Sequence, residues 1–145
     1  IEEDEHFQYG VGFFPVKEGR RYQNYVANID SDGNELGGIR LPDLDVPVGT
    51  HTGWNLRHPD SGSPDDIIPM KGISVAFANT RVNKEKNQDT RRSLEERYES
   101  REQFIELVRE SAQKLVDQNY LLNDDIAIVI EACLDRYDAA INGGF

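Results

Sequence analysis

The sequence predicts an α+β chain: a β-hairpin and long extended loops, followed by an α-helical hairpin. Three observations carry this. Strand-forming residues flank the turn chemistry Ser31-Asp32-Gly33-Asn34. Residues 42–66 are punctuated by Pro42, Pro47, Gly49, Gly53, Pro59 and Pro64. Between residues 100 and 138, apolar side chains recur at helical spacing in two consecutive runs.

Residues 1–21 form an irregular lead-in. Glu2, Glu3, Asp4 and Glu5 give way to His6, Phe7, Tyr9, Phe13 and Phe14 around Gly10 and Gly12. So few aliphatics accompany these rings that their expected anchor is not local. Residues 22–92 hold the β-hairpin and extended loop. Tyr22, Tyr25, Val26 and Ile29 favour a strand, Ile39 to Leu41 the return, and Gly33 permits the positive φ of a tight turn. Gly37-Gly38 suggests a bulge or a close backbone approach. Pro42 and Pro47 predict an extended path in which Leu44, Val46 and Val48 face one way. A Gly-Trp-Asn corner follows, then loop over 57–66, two short apolar patches, Ile67–Met70 and Ile73–Phe77, flanking Gly72, and a polar, unpatterned stretch over 80–92.

Residues 93–145 are helical. Ser100 with Gln103 has capping-box spacing, and the following stripe is Phe104, Leu107, Val108, Ala112, Leu115 and Val116. Asn123 is placed to cap a second helix, with Asp124 and Asp125 at its positive end. Ile126, Val129, Ile130, Cys133, Leu134 and Tyr137 form its stripe, and Asn142-Gly143-Gly144 stops it.

Composition narrows the function. Of the 145 residues 37% are apolar and 30% charged, and mean hydropathy is -0.66. Such a polar chain needs another surface for part of its burial, and gradual melting in isolation is expected. A net charge of -11 opposes phosphate backbones and anionic lipid, so neither nucleic acid nor membrane is an expected partner. The basic run Arg81, Lys84, Lys86, Arg91 and Arg92 is interleaved with Glu85 and Asp89 and reads as a solvated loop. A lone Cys133 excludes an internal disulfide. Starting at Ile1, the sequence reads as a piece of a longer polypeptide.

Catalytic groups are sparse. A serine hydrolase presents its nucleophile in a G-x-S-x-G elbow, and no such motif occurs. Gly49-Thr50-His51-Thr52-Gly53 has the glycine frame with His at its centre. Ser61 and Ser63 read as turn-formers, and His58 as a surface partner of nearby aspartates. His51, Trp54 and Asn55 are the candidate pocket-lining residues, because a glycine-framed corner can line a wall and His can move a proton there. The plainer reading, preferred for both, is a packed or hydrogen-bonded structural His51 and a packing Trp54. Asp30-Ser31-Asp32-Gly33-Asn34 starts like a calcium loop, but its glycine is fourth rather than sixth and Leu41 stands at the twelfth place. No metal and no cofactor is expected.

The run IDSDGNELGGIRLPDLDVPVGTHTGWNLR, residues 29–57, resembles the C-terminal region of the alpha/beta hydrolase domain family of large bacterial hydrolase-like proteins. The likeness continues through Phe77-Ala78-Asn79-Thr80-Arg81, Ser93 to Tyr98 and Ser100-Arg101-Glu102 into the helical hairpin, covering Tyr22 to Tyr137. The resemblance implies that nucleophile and triad histidine lie upstream, and that this segment wraps a hydrolase core with its helix pair outside. It implies ester hydrolysis as the parent activity, no catalytic residue in this chain, and the remainder of the parent chain as partner. A small-molecule substrate would be met only through that parent. His51 stands where the family pattern has Tyr, so no catalytic role carries over to it. The alternative is an acidic, non-enzymatic binding or structural module.

Overall fold

In the computed structural model, residues 25–61 and 66–143 are described below. The lead-in and Ser63 lie outside them. The chain is α+β: a two-stranded antiparallel sheet and a helical hairpin, joined by short helices.

The turn at Ser31–Asn34 forms as expected, but the pairing around it is a single bridge, Ile29 to Glu35. Tyr25 and Val26 are exposed and outside any strand. Asp30, rather than Asp32, folds the turn: its Oδ1 accepts from the backbone N–H groups of Asp32 (2.9 Å) and Asn34 (3.0 Å). Gly33 has φ +83°, and a Cβ there would stand 2.9 Å from Thr50 Cγ2. Both conformation and close packing require glycine.

The segment read as extended begins instead with a helical turn, α1 (Pro42–Asp45). Pro42 sits at its first position, where a missing N–H costs nothing. Val46, Pro47 and Val48 then enter the core. The predicted corner is strand β1 (Gly49–Leu56), paired with β2 (Ile67–Ala76), which joins both apolar patches through Gly72. From Thr52 to Trp54 the register is interrupted, and β2 sets Met70, Lys71 and Gly72 against the single residue Gly53 of β1. Met70 takes φ 60° there. A Cβ on Gly72 would lie 2.1 Å from the Thr52 carbonyl oxygen, so the irregularity depends on glycine.

The polar stretch over 80–92 contains α2 (Arg81–Lys86). It buries nothing, so hydrophobic periodicity could not reveal it. Thr80 caps it by accepting from Asn83 N–H at 3.2 Å, and Arg81 pairs with Glu85 one turn on. A full capping box, Ser93 with Glu96, opens α3 (Leu94–Arg97). Glu96 accepts from the Ser93 backbone and hydroxyl, each at 2.8 Å, and from Lys84 at 3.1 Å. These bonds, the Ser93 backbone first, hold its carboxyl down to about 2.

The helical hairpin is α4 (Arg101–Asp117) against α5 (Ile126–Ile141). Ser100 caps α4 by accepting from Gln103 N–H at 3.1 Å, while Gln103 reaches back to the N–H of Glu99 at 2.7 Å. Asn123 opens a 3₁₀ turn (Asn123–Asp125) rather than capping α5 directly. One core cluster joins these pieces: Val46, Val48, Phe77, Leu94, Tyr98, Phe104, Val108, Cys133, Tyr137 and Ala140. At its centre Phe104 stacks on Tyr137 (4.6 Å between centroids) and meets Tyr98 edge-on at 5.0 Å. Each such ring contributes about 1.5–3 kcal/mol by burial. The Tyr98 hydroxyl donates to the Pro47 carbonyl at 2.8 Å, tying the loop before β1 to the helices.

Candidate functional site

The side chains that bear on chemistry gather around β1. His51 lies opposite Ser74 on β2, with Nδ1 2.8 Å from Ser74 Oγ. Its backbone N–H donates to Asn34 Oδ1 at 2.8 Å, and Asn34 Nδ2 donates to the Gly49 carbonyl at 3.1 Å. The fully buried Asn34 thus imitates a neighbouring strand along the outer edge of β1. Burial pushes the His51 pKa below its ordinary value; the charge of Asp43 opposes that and the charge of Arg136 reinforces it.

A serine, a histidine and an aspartate are therefore neighbours, but not as a relay. Asp43 Oδ1 takes the Arg136 guanidinium at 2.6 Å and the Cys133 thiol at 3.3 Å. The Arg136 guanidinium offsets the charge of that carboxylate, and burial outweighs what Asp43 still contributes toward an imidazolium. Ser74 occupies an exposed position within an antiparallel ladder, not a strained strand-to-helix turn that would raise its hydroxyl into a site. A cross-strand hydrogen-bonded pair describes the contact. Cys133 offers no nucleophile either: burial first, then Asp43, pushes its thiol up to about 12.

Trp54 faces Pro69 beyond the irregularity. Its indole N–H is buried and has no acceptor among the described residues. Asn55 turns its Oδ1 onto the Leu56 N–H at 2.8 Å. Two open grooves of about 620 and 700 Å³ flank the structure, and neither is lined by His51, Trp54 or Asn55. His58 lies beside Asp60, as expected of a surface histidine: Nδ1 is 3.5 Å from the carboxylate and accepts from the Asp60 N–H at 3.2 Å. Among the described residues no group of His, Cys, Asp and Glu is arranged to hold a metal, and no helix is long and apolar enough to cross a membrane.

Composition and spacing did not reveal the network that holds β1. Asp32 receives a bidentate fork from Arg97, 65 residues on, and Arg97 also lies 4.2 Å from the Phe77 ring centroid. Arg91, paired with Asp89, donates to Thr50 Oγ1 at 2.8 Å and to the carbonyls of Val75 and Ala76. Thr50 in turn donates to the Asp32 carbonyl. Arg40 ties Asp30 to the carbonyls of Glu35 and Leu44. The basic run that reads as solvated loop thus supplies two structural clamps, Lys84 and Arg91.

The residues quoted from 29–57 are thereby accounted for as a structural unit, a turn clamped onto a strand. A family model described as alpha/beta hydrolase domain matches residues 13–131. The chain belongs to the alpha/beta hydrolase domain family. No curated protein and no solved structure matches it. The match includes the turn, the β1–β2 ladder, all of α4 and the first turns of α5. Arg136, which engages Asp43, falls beyond it.

Proposed function

We propose that this chain is the structural and pocket-shaping C-terminal segment of an α/β-hydrolase-like protein that hydrolyses esters, with the attacking groups supplied by polypeptide outside the described residues. The observation that carries this reading is β2. It presents Met70 (98% exposed), Ile73 and Val75 to solvent, with Lys71 its one charged residue. A strand so long and weakly charged at a sheet edge invites pairing, and natural proteins cover such edges. The buried indole N–H of Trp54, without an acceptor among the described residues, supports the same reading, because buried donors are nearly always satisfied. In this role the β1–β2 ladder lies against the rest of the hydrolase, and His51 and Trp54 shape the wall it forms.

The test is hydrolysis of p-nitrophenyl butyrate by the chain alone. No turnover above buffer is expected, with or without a serine-directed reagent. Turnover that Ser74→Ala abolishes would place the chemistry on the cross-strand pair and overturn the reading. The acidic-module alternative draws on the -11 charge. It is distinguished by the natural reading frame upstream of Ile1, where an in-frame G-x-S-x-G supports the hydrolase.

A further inference from the structure

We propose that the groove of about 620 Å³ between Leu36–Asp45 and the C-terminal half of α4 binds a small amphiphilic carboxylate. The headgroup site is Ser111 with Lys114, and the hydrocarbon lies on Leu36, Ile39, Leu115 and Tyr120. Its volume falls within the usual range for small-molecule sites.

Ser111 decides the polar end. It is 3% exposed, lines the groove, and its hydroxyl has no hydrogen-bond partner among the described residues. The other two buried polar residues among those described are bonded: Asn34 clamps β1, and Ser93 is bonded to Glu96. A hydroxyl that stays open to a groove while the rest of its residue is buried is a ready donor or acceptor. Ser111, Lys114, Leu115 and Gln118 recur at i, i+3, i+4 and i+7, so α4 presents them on one face.

Charge selects the headgroup. Lys114 Nζ is 3.9 Å from Asp45 Oδ2, a loose contact between exposed side chains that leaves the ammonium available. Arg40 gives three of its five N–H donors to Asp30, Glu35 and Leu44, which fixes it beside the groove as a second positive group. Asp45 on the rim and a chain of net charge -11 disfavour a dianion. One negative charge with two acceptor oxygens suits the pair, one oxygen for Ser111 and one for Lys114. The apolar walls ask for a tail: Leu36 is 54% exposed, Ile39 51% and Tyr120 60%. The site shares no residue with the Asp43–His51–Ser74 group, and its test involves no hydrolysis.

Titration of the full chain with decanoate, followed by amide NMR shifts and calorimetry, tests this. Saturable binding is expected, with shifts concentrated at residues 36–40 and 111–120. Lys114→Gln, at a solvent-exposed position, and Ser111→Ala are each expected to raise Kd about tenfold with the melting curve unchanged. Decanol and decyltrimethylammonium, with the same tail, are expected to bind at least about tenfold more weakly than decanoate. Equal binding of either control, non-saturable partitioning, or a Kd that neither variant changes would overturn the assignment.

Discussion

Replacing Asn34 with Ala removes both bonds that hold the outer edge of β1. The side chain is fully buried, so both groups are left facing its vacated volume rather than bulk solvent. The Gly49 carbonyl and the His51 N–H lose partners at 3.1 and 2.8 Å. Leaving a buried donor or acceptor unsatisfied costs about 1–3 kcal/mol, so two such groups with partial relaxation put the loss at about 2–4 kcal/mol. Asn34→Asp is no remedy. It keeps the acceptor for His51 but turns a carboxylate oxygen toward the Gly49 carbonyl. Hydrogen exchange at the His51 amide reads the effect locally, without requiring a cooperative global transition. A loss of about 2 kcal/mol lowers protection by about thirtyfold. Urea unfolding of the same variant gives the global counterpart. Unchanged His51 protection, or a total cost under about 0.5 kcal/mol, would mean that the clamp does not support β1, and the account of the residue 29–57 motif would fail.

Three further outcomes are expected. Gly72→Ala drives a Cβ into the Thr52 carbonyl, backbone against backbone, and should destabilise the ladder by about 2 kcal/mol or more, seen as lost exchange protection in β2. Cys133 should resist thiol reagents at pH 8 in the folded chain and react once denaturant is added, because a shift from 9.0 to about 12 lowers its thiolate fraction by about a thousandfold. The same raised pKa makes this thiol's contribution to stability full below pH 9 and falling as pH climbs toward 12, where the unfolded chain sheds the proton first. Glu96 acts in the opposite direction: its depressed pKa stabilises the start of α3 above about pH 4.5, and this is lost as pH falls through about 2. An NMR titration of the Ser93 amide should report that midpoint, and a midpoint near 4.5 would contradict the capping box.

The helical hairpin was legible because its information is local. Phe104, Val108, Ala112 and Leu115 repeat at helical spacing behind a cap that sits three residues from its partner, and all four are buried as expected. The Asp30–Asn34 turn was legible for the same reason, since a glycine and two short polar side chains dictate it wherever it occurs. The β1–β2 ladder was not. Thr50 and Thr52 favour a strand, but Gly49 and Gly53 frame them and no apolar alternation runs through the segment, so a corner is its natural local reading.

By itself, then, the amino-acid order determined the α+β class, the helix pair, the tight turn and the family. Each is specified within a few residues of chain or by the order of several short blocks. Only the folded arrangement decided what those blocks are for. It set Asn34 against β1, Arg97 on Asp32 across 65 residues, and Asp43 on Arg136 instead of on His51. The reason is physical. A hydrogen bond between distant residues has no spacing to be read, and whether a carboxylate orients a base or neutralises a guanidinium depends on which of the two packing brings closer.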